Sequence, residues 1–206
     1  MNKIIILVMH GMPPRDFPKS EMAEYFRQYD PFHHVSSMKA PAGEGQNHGH
    51  SHGDSQAHGH DHGHGGHAHQ GTSRFLELDE KMKRWPRNPE NDLFYGAAFR
   101  LARQLEATSG CTVLVGFNEF CAPDLTETLE AAASRKPDTI FVITPMMTPG
   151  GIHSEVDIPD TIKAAKARHP EITYDYVWPY DLANVAKFLN EQILFRSKER
   201  NGAPQS

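Results

Sequence analysis

The chain has 206 residues, a formal charge of −5 with histidine neutral, and 38 % apolar residues. It lacks the basic excess of a nucleic-acid binder and any apolar run long enough to span a bilayer. Two cysteines, Cys111 and Cys121, make no disulfide framework, so a reduced, cytoplasmic protein with one domain over residues 1–206 is expected.

The N-terminal KIIILVM (3–9) is all apolar after its lysine and ends at His10-Gly11. It is too short for a signal peptide and fits a strand buried on both faces. Three more such runs follow: CTVLVGF (111–117), TIFVITP (139–145) and the more alternating ITYDYVW (172–178). Helical patterns lie between and after them. Residues 92–108 carry Leu93, Ala97, Leu101 and Leu105 as a stripe, widened by Ala98 and Ala102. Residues 122–137 and 158–170 each begin with a proline in the first turn and stop before another proline. In 179–195, Leu182, Val185, Ala186, Leu189 and Ile193 share one face, and the tail after Arg196 should fray.

This alternation predicts an α/β fold: a doubly wound, mainly parallel sheet of about four strands with helices on both faces. One link breaks the rhythm. The connection from the first strand to its helix should take a few residues, yet here it covers 12–89. That segment is an insertion with a short helix on each side of a histidine-rich tract, residues 47–71. Nine of the 14 histidines fall in the tract: His48, His50, His52, His58, His60, His62, His64, His67 and His69. With no bulky apolar residue, it should be disordered. Imidazoles on a glycine-rich chain hold divalent metal with little geometric selection. The same composition also suits a plain solvated linker. In either case a floppy segment is a poor place for chemistry, which needs fixed geometry.

Ligands of an open parallel sheet bind at the carboxyl ends of its strands. There the sequence places His10 after the first strand and Glu119 after the second. His153 follows the third strand, with Glu155 and Asp157 beyond it. Two histidines and a carboxylate can ligate a first-row metal or move protons. Pro149-Gly150-Gly151 makes a tight turn through which a flat ligand could approach the backbone. Taken singly, each residue has a plainer role. A histidine after a strand is often structural, Glu119 could cap the following helix, and Asp157 reads better as an N-cap than as a ligand. His33, His34 and His169 read as surface or helix-end residues.

At VMHG (8–11), VGFNEFCAPDLTETLE (115–130) and DTIFVITPMMTPGGIHSEVDIPDTI (138–162), the sequence resembles the class II chelatases of the small sirohydrochlorin cobaltochelatase type. Met12-Pro13-Pro14 departs from the small polar and basic residues that often follow the family's first His-Gly. The resemblance implies an enzyme that inserts Co²⁺, with Ni²⁺ or Fe²⁺ as alternatives, into sirohydrochlorin or a related tetrapyrrole. It implies no organic cofactor and a homodimer that completes the cleft. His10, Glu119 and His153 would hold metal and exchange protons, and Met12, Phe117, Met146, Gly150 and Gly151 would contact the ring. The competing expectation is a non-enzymatic metal chaperone or store on the same fold. A flavodoxin-like nucleotide binder is weaker, because no Gly-rich phosphate loop follows the first strand.

Overall fold

The computed structural model describes residues 2–29 and 73–202. The histidine-rich tract, and the disorder expected of it, lie outside the described residues, as do His33 and His34. The elements run β1 (Lys3–Met9), α1 (Lys19–Gln28), α2 (Ser73–Lys83), α3 (Leu93–Ser109) and β2 (Thr112–Phe117). They continue with α4 (Leu125–Ala133), β3 (Thr139–Ile143), a π-helical turn (His153–Asp157), α5 (Ile158–Arg168), β4 (Thr173–Tyr176) and α6 (Leu182–Gly202).

The four strands form one parallel sheet in the order β2-β1-β3-β4. The chain steps to one side of β1 and then crosses to the other, as in a doubly wound fold, so the switch point lies between β1 and β3. Alternation along β1 divides the core. Ile4, Ile6 and Val8 face α4 and α5, where they meet Leu129, Ile158 and Ile162. Leu7 and Met9 face α3 through Ala98 and Ala102. The small alanines let α3 approach the strands closely.

Helix starts are set locally. Asp92 caps α3 by accepting from the Tyr95 N–H at 2.9 Å. Asp124 and Glu127 form a reciprocal capping box on α4, so Glu119 is not needed as its cap. The N-cap expectation for Asp157 fails: its side chain makes no capping bond and turns to His153 instead.

Two predicted faces are also corrected. The Leu93–Leu101 stripe of α3 does not point into the core, since both leucines are exposed while Ala98 and Ala102 are buried. Helix α6 runs on past Arg196 to Gly202, and among its described side chains none is buried. Leu182, Leu189 and Ile193, expected inside, are 57 %, 52 % and 64 % exposed, and Phe188, Leu194 and Phe195 are exposed beside them.

Helices α1 and α2 form an antiparallel pair. Glu21 meets Lys81 at 2.5 Å, and Glu24 meets Arg74 at 3.3 Å. The Tyr25 hydroxyl donates to Asp79 at 3.0 Å, and its ring stacks on Phe75. Phe17, Tyr25, Leu78, Met82 and Phe120 make this a third apolar cluster. Phe120 comes from the loop after β2, so the cluster joins the helix pair to a strand end.

Candidate metal centre

The loop after β2 stays hydrogen-bonded to the end of β1 for two residues. Asn118 N–H donates to Met9 O and Glu119 N–H to His10 O, both at 2.9 Å. That register sets Glu119 beside His10. It also requires Gly11: at φ +98° its position is left-handed, and a Cβ there would lie 1.8 Å from the Glu119 carbonyl oxygen. His153 arrives from β3 on the π-helical turn, closed by the Ile158 N–H donating to His153 O. Ser154, buried, fastens this turn. Its hydroxyl donates to Gly151 O at 3.0 Å, and its carbonyl accepts from the Tyr176 hydroxyl at 2.9 Å.

His10, Glu119 and His153 meet as expected from their places on the sheet. One ligand atom from each lies within 4.8 Å of the others. His10 Nε2 is 3.6 Å from Glu119 Oε2, and His153 Nε2 is 3.5 Å from Glu119 Oε1. The two rings pack edge to face at 4.8 Å between centroids. Both histidines are tied at the opposite nitrogen. His10 Nδ1 is 2.9 Å from Gly11 O, and His153 Nδ1 is 2.6 Å from Asp157 Oδ2. Each of those oxygens accepts a hydrogen bond from Nδ1–H in the neutral tautomer that places the proton there, and in that tautomer Nε2 turns its lone pair toward Glu119. The two Nε2 atoms then converge on the Glu119 carboxylate with no donor of their own to offer it, an arrangement that a cation relieves. Metal–ligand bonds of about 2.1 Å put neighbouring ligand atoms about 3–3.5 Å apart, close to the two histidine–carboxylate distances, while the three atoms as a set span up to 4.8 Å. His10 is 44 % exposed and His153 14 %, so the group opens to solvent on the His10 side.

Sequence reasoning missed several supports. Asp157 orients His153, and the signal was present in its four-residue spacing from that histidine. The Tyr29 hydroxyl, at the end of α1, donates to Glu119 Oε1. Burial first, and Glu119 second, push its pKa up, so it stays a donor. Arg87, 4 % exposed, pairs with Asp92 at 2.7 Å. It donates to the carbonyls of Met12 at 2.6 Å, Met82 at 2.9 Å and Phe120, locking the loops that carry His10 and Glu119 to α2. No spacing in the sequence marks it.

The expected ring contacts divide. Met12 is exposed beside His10, and Gly150 and Gly151 sit on an open turn. Met146 packs partly against the core. Phe117 is wholly buried and stacks on Tyr95 at 5.3 Å, so it holds α3 to the sheet. His169 ends α5 and pairs with Glu130 at 2.8 Å, as a helix-end residue would. Cys121 is not one of the converging residues; burial raises its pKa.

Among solved structures, the chain is similar to SirB of Bacillus subtilis subspecies spizizenii, a sirohydrochlorin chelatase in complex with cobalt. The identity is 15 % and the TM-score 0.37, over 87 % of this chain and 44 % of that one. It is similar to SirB from Bacillus subtilis with Fe3+ at 14 % identity and TM-score 0.41, covering 99 % and 49 %. It is also similar to a CbiX protein of Marinobacter aquaeolei VT8 named for cobalamin (vitamin B12) biosynthesis, at 14 % and 0.44, covering 96 % and 98 %. The chain thus spans about half the length of the two SirB chains. No curated protein matches it. The CbiX family model matches residues 90–193, which hold β2, β3, β4 and two of the three converging residues, Glu119 and His153. By that match over half its length, the chain belongs to the CbiX family, the class II chelatases that its strand-end motifs resemble.

Proposed function

We propose that this protein is a metal chelatase that inserts a divalent metal, Co²⁺ foremost and Ni²⁺ or Fe²⁺ as alternatives, into sirohydrochlorin or a close tetrapyrrole relative. The observation that carries this reading is the convergence of His10, Glu119 and His153 at the carboxyl edge of the sheet. Insertion strips two protons from ring nitrogens while the metal sheds water. A triad with open positions can hold the ion and still release it, which a closed four-ligand site does poorly. Neutral imidazole and carboxylate can also take the departing protons. Met12, Met146 and the Gly150-Gly151 turn are proposed to contact the ring. The test is spectrophotometric metallation of sirohydrochlorin with each of the three metals. Catalytic turnover supports the chelatase. Stoichiometric metal binding without turnover favours the chaperone or store.

Residues 12–89 are read as an insertion into one chelatase-like domain, with 47–71 as a metal-holding accessory. The chemistry is assigned to the triad, so a chain lacking 47–71 should fold normally. At saturating metal it should turn over at close to the full rate, and its deficit should appear when metal is scarce. Metallation rates measured across a metal titration check this; lost turnover at high metal would sink it.

The working form is proposed to be a homodimer, with no nucleic-acid or membrane partner. Among the described residues no helix is long and apolar enough to cross a membrane. The dimer is supported by three bare apolar surfaces. The flank of α3 bearing Phe99, Arg103 and Glu106 overlooks Val113 and Val115 of β2. Leu101 of α3 is exposed and Leu105 partly so, and Phe141 and Ile143 of β3 are only partly covered, an apolar trough on the sheet. In a doubly wound fold the last helix fills that trough. Here the first turns of α6 rest on Pro145 and Met147, and its later turns are exposed on every side. The α6 helix of a second copy fits the trough reciprocally. Large apolar side chains stabilise by about 1.5–3 kcal/mol each when fully buried, and α6 exposes six of them. Sedimentation should show a dimer, and Leu189→Asp combined with Ile193→Asp should give monomers. A monomeric wild type that is fully active would contradict this.

A further inference from the structure

The Tyr29 hydroxyl reaches Glu119 from outside the region that the CbiX family model covers. We propose that Tyr29 is a positioning residue that aims the Glu119 carboxylate at the two histidines, making the α1–α2 pair a working part of the metal centre. This rests on the metal-binding role given to Glu119 above.

The placement follows from local structure. Tyr29 ends α1, where its N–H still donates to Tyr25 O at 3.0 Å. Its ring lies 5.6 Å from Tyr25 and 5.6 Å from Phe120. Phe120 is held at φ +57°, an uncommon value for a bulky residue. That backbone turns Phe120 into the aromatic cluster while its neighbour Glu119 faces the histidines. The hydroxyl of Tyr29 therefore meets Glu119 at the boundary between cluster and site.

A glutamate has three side-chain torsions, and fixing them costs entropy. Glu119 is only 15 % exposed, and Tyr29 donates to the oxygen that faces His153, leaving Oε2 toward His10. The carboxylate is thus held in a ligating orientation before an ion arrives. Outer partners of this kind typically change metal affinity 10–100-fold when removed. The hydrogen bond leaves both nitrogen ligands untouched, so its loss should weaken metal capture more than it slows the step at saturating metal.

The test is a cycle of Tyr29→Phe, Glu119→Gln and the double variant in the full chain. Phenylalanine keeps the ring in the cluster and removes the donor alone. Tyr29→Phe should raise the KM for Co²⁺ about 10-fold and leave kcat at saturating metal within about 3-fold. The double variant should be no worse than Glu119→Gln, because Tyr29 acts through that carboxylate. Phe26 packs its ring 5.7 Å from Tyr29 and 6.0 Å from Phe120, so Phe26→Leu thins the same aromatic packing without removing the donor to Glu119 and should leave the KM for metal unchanged. An unchanged KM in Tyr29→Phe, an equal rise in Phe26→Leu, or multiplied losses in the double variant would overturn the proposal. Should the wild type metallate no ring, the chelatase reading fails by itself. The same cycle is then read on Co²⁺ affinity by calorimetry, with the His10→Ala/His153→Ala chain as background for the other histidines. Coupling between Tyr29 and Glu119 there supports the proposal, and its absence overturns it.

Discussion

His153→Ala is expected to lower macrocycle metallation by about 100-fold or more, the scale for losing a positioned acid, base or ligand. Its Nε2 faces Glu119, and its Nδ1 is committed to Asp157. Alanine removes the imidazole from the group and the hydrogen bond it shares with Asp157. His10→Ala should cost a similar factor, although water can reach that more exposed position. Glu119→Gln keeps the shape and loses the charge, so it should impair metal-dependent turnover while ring binding persists. Rates measured across several metal concentrations separate lost affinity from lost chemistry. Near-wild-type rates for His153→Ala throughout would remove this histidine from the mechanism.

Arg87→Ala should destabilise the fold by about 3–5 kcal/mol, the range for breaking a buried ion pair from one side. Asp92 would keep a buried charge, and three carbonyls would lose a donor. Because two of those carbonyls belong to Met12 and Phe120, the loss should also loosen the loops beside His10 and Glu119. Urea unfolding gives the stability change from the midpoint at constant slope. Arg87→Lys, which keeps the charge but not the planar fork, should fall between wild type and the alanine variant. An alanine variant within about 1 kcal/mol of wild type would show that the pair contributes little.

Much of the sheet was legible because parallel strands buried on both faces leave unbroken apolar runs. The three site residues were legible for a related reason: each lies just beyond a strand, and parallel strands all end at one edge of the sheet. Failures came where tertiary context decides. The leucine stripe on α3 matched a core face by period alone, yet alanines make the close contact with β1. The period of α6 was equally persuasive, but periodicity reports that a face wants cover, not which chain supplies it. Phe117 fell at a strand end beside the ligands, and only its stacking on Tyr95 reveals it as core. Arg87 and Tyr29 lie far in sequence from the residues they hold, so no local pattern could name them. Asp157 was visible but misread, because a carboxylate before Ile-Pro fits a helix cap as well as a histidine partner.

The turn at His153–Asp157 carries one residue more per hydrogen-bonded ring than the α-helix after it. It therefore works as a phase shifter between ligand and helix. Removing a single residue such as Val156 would let α5 continue backwards as ordinary helix, and its packing on β1 and β4 could survive intact. His153, however, would be carried around the axis by about 100° and off the bearing that now points it at Glu119. The length of this turn sets the aim of the histidine, and a chain one residue shorter could keep the whole fold while taking His153 away from Glu119 and His10.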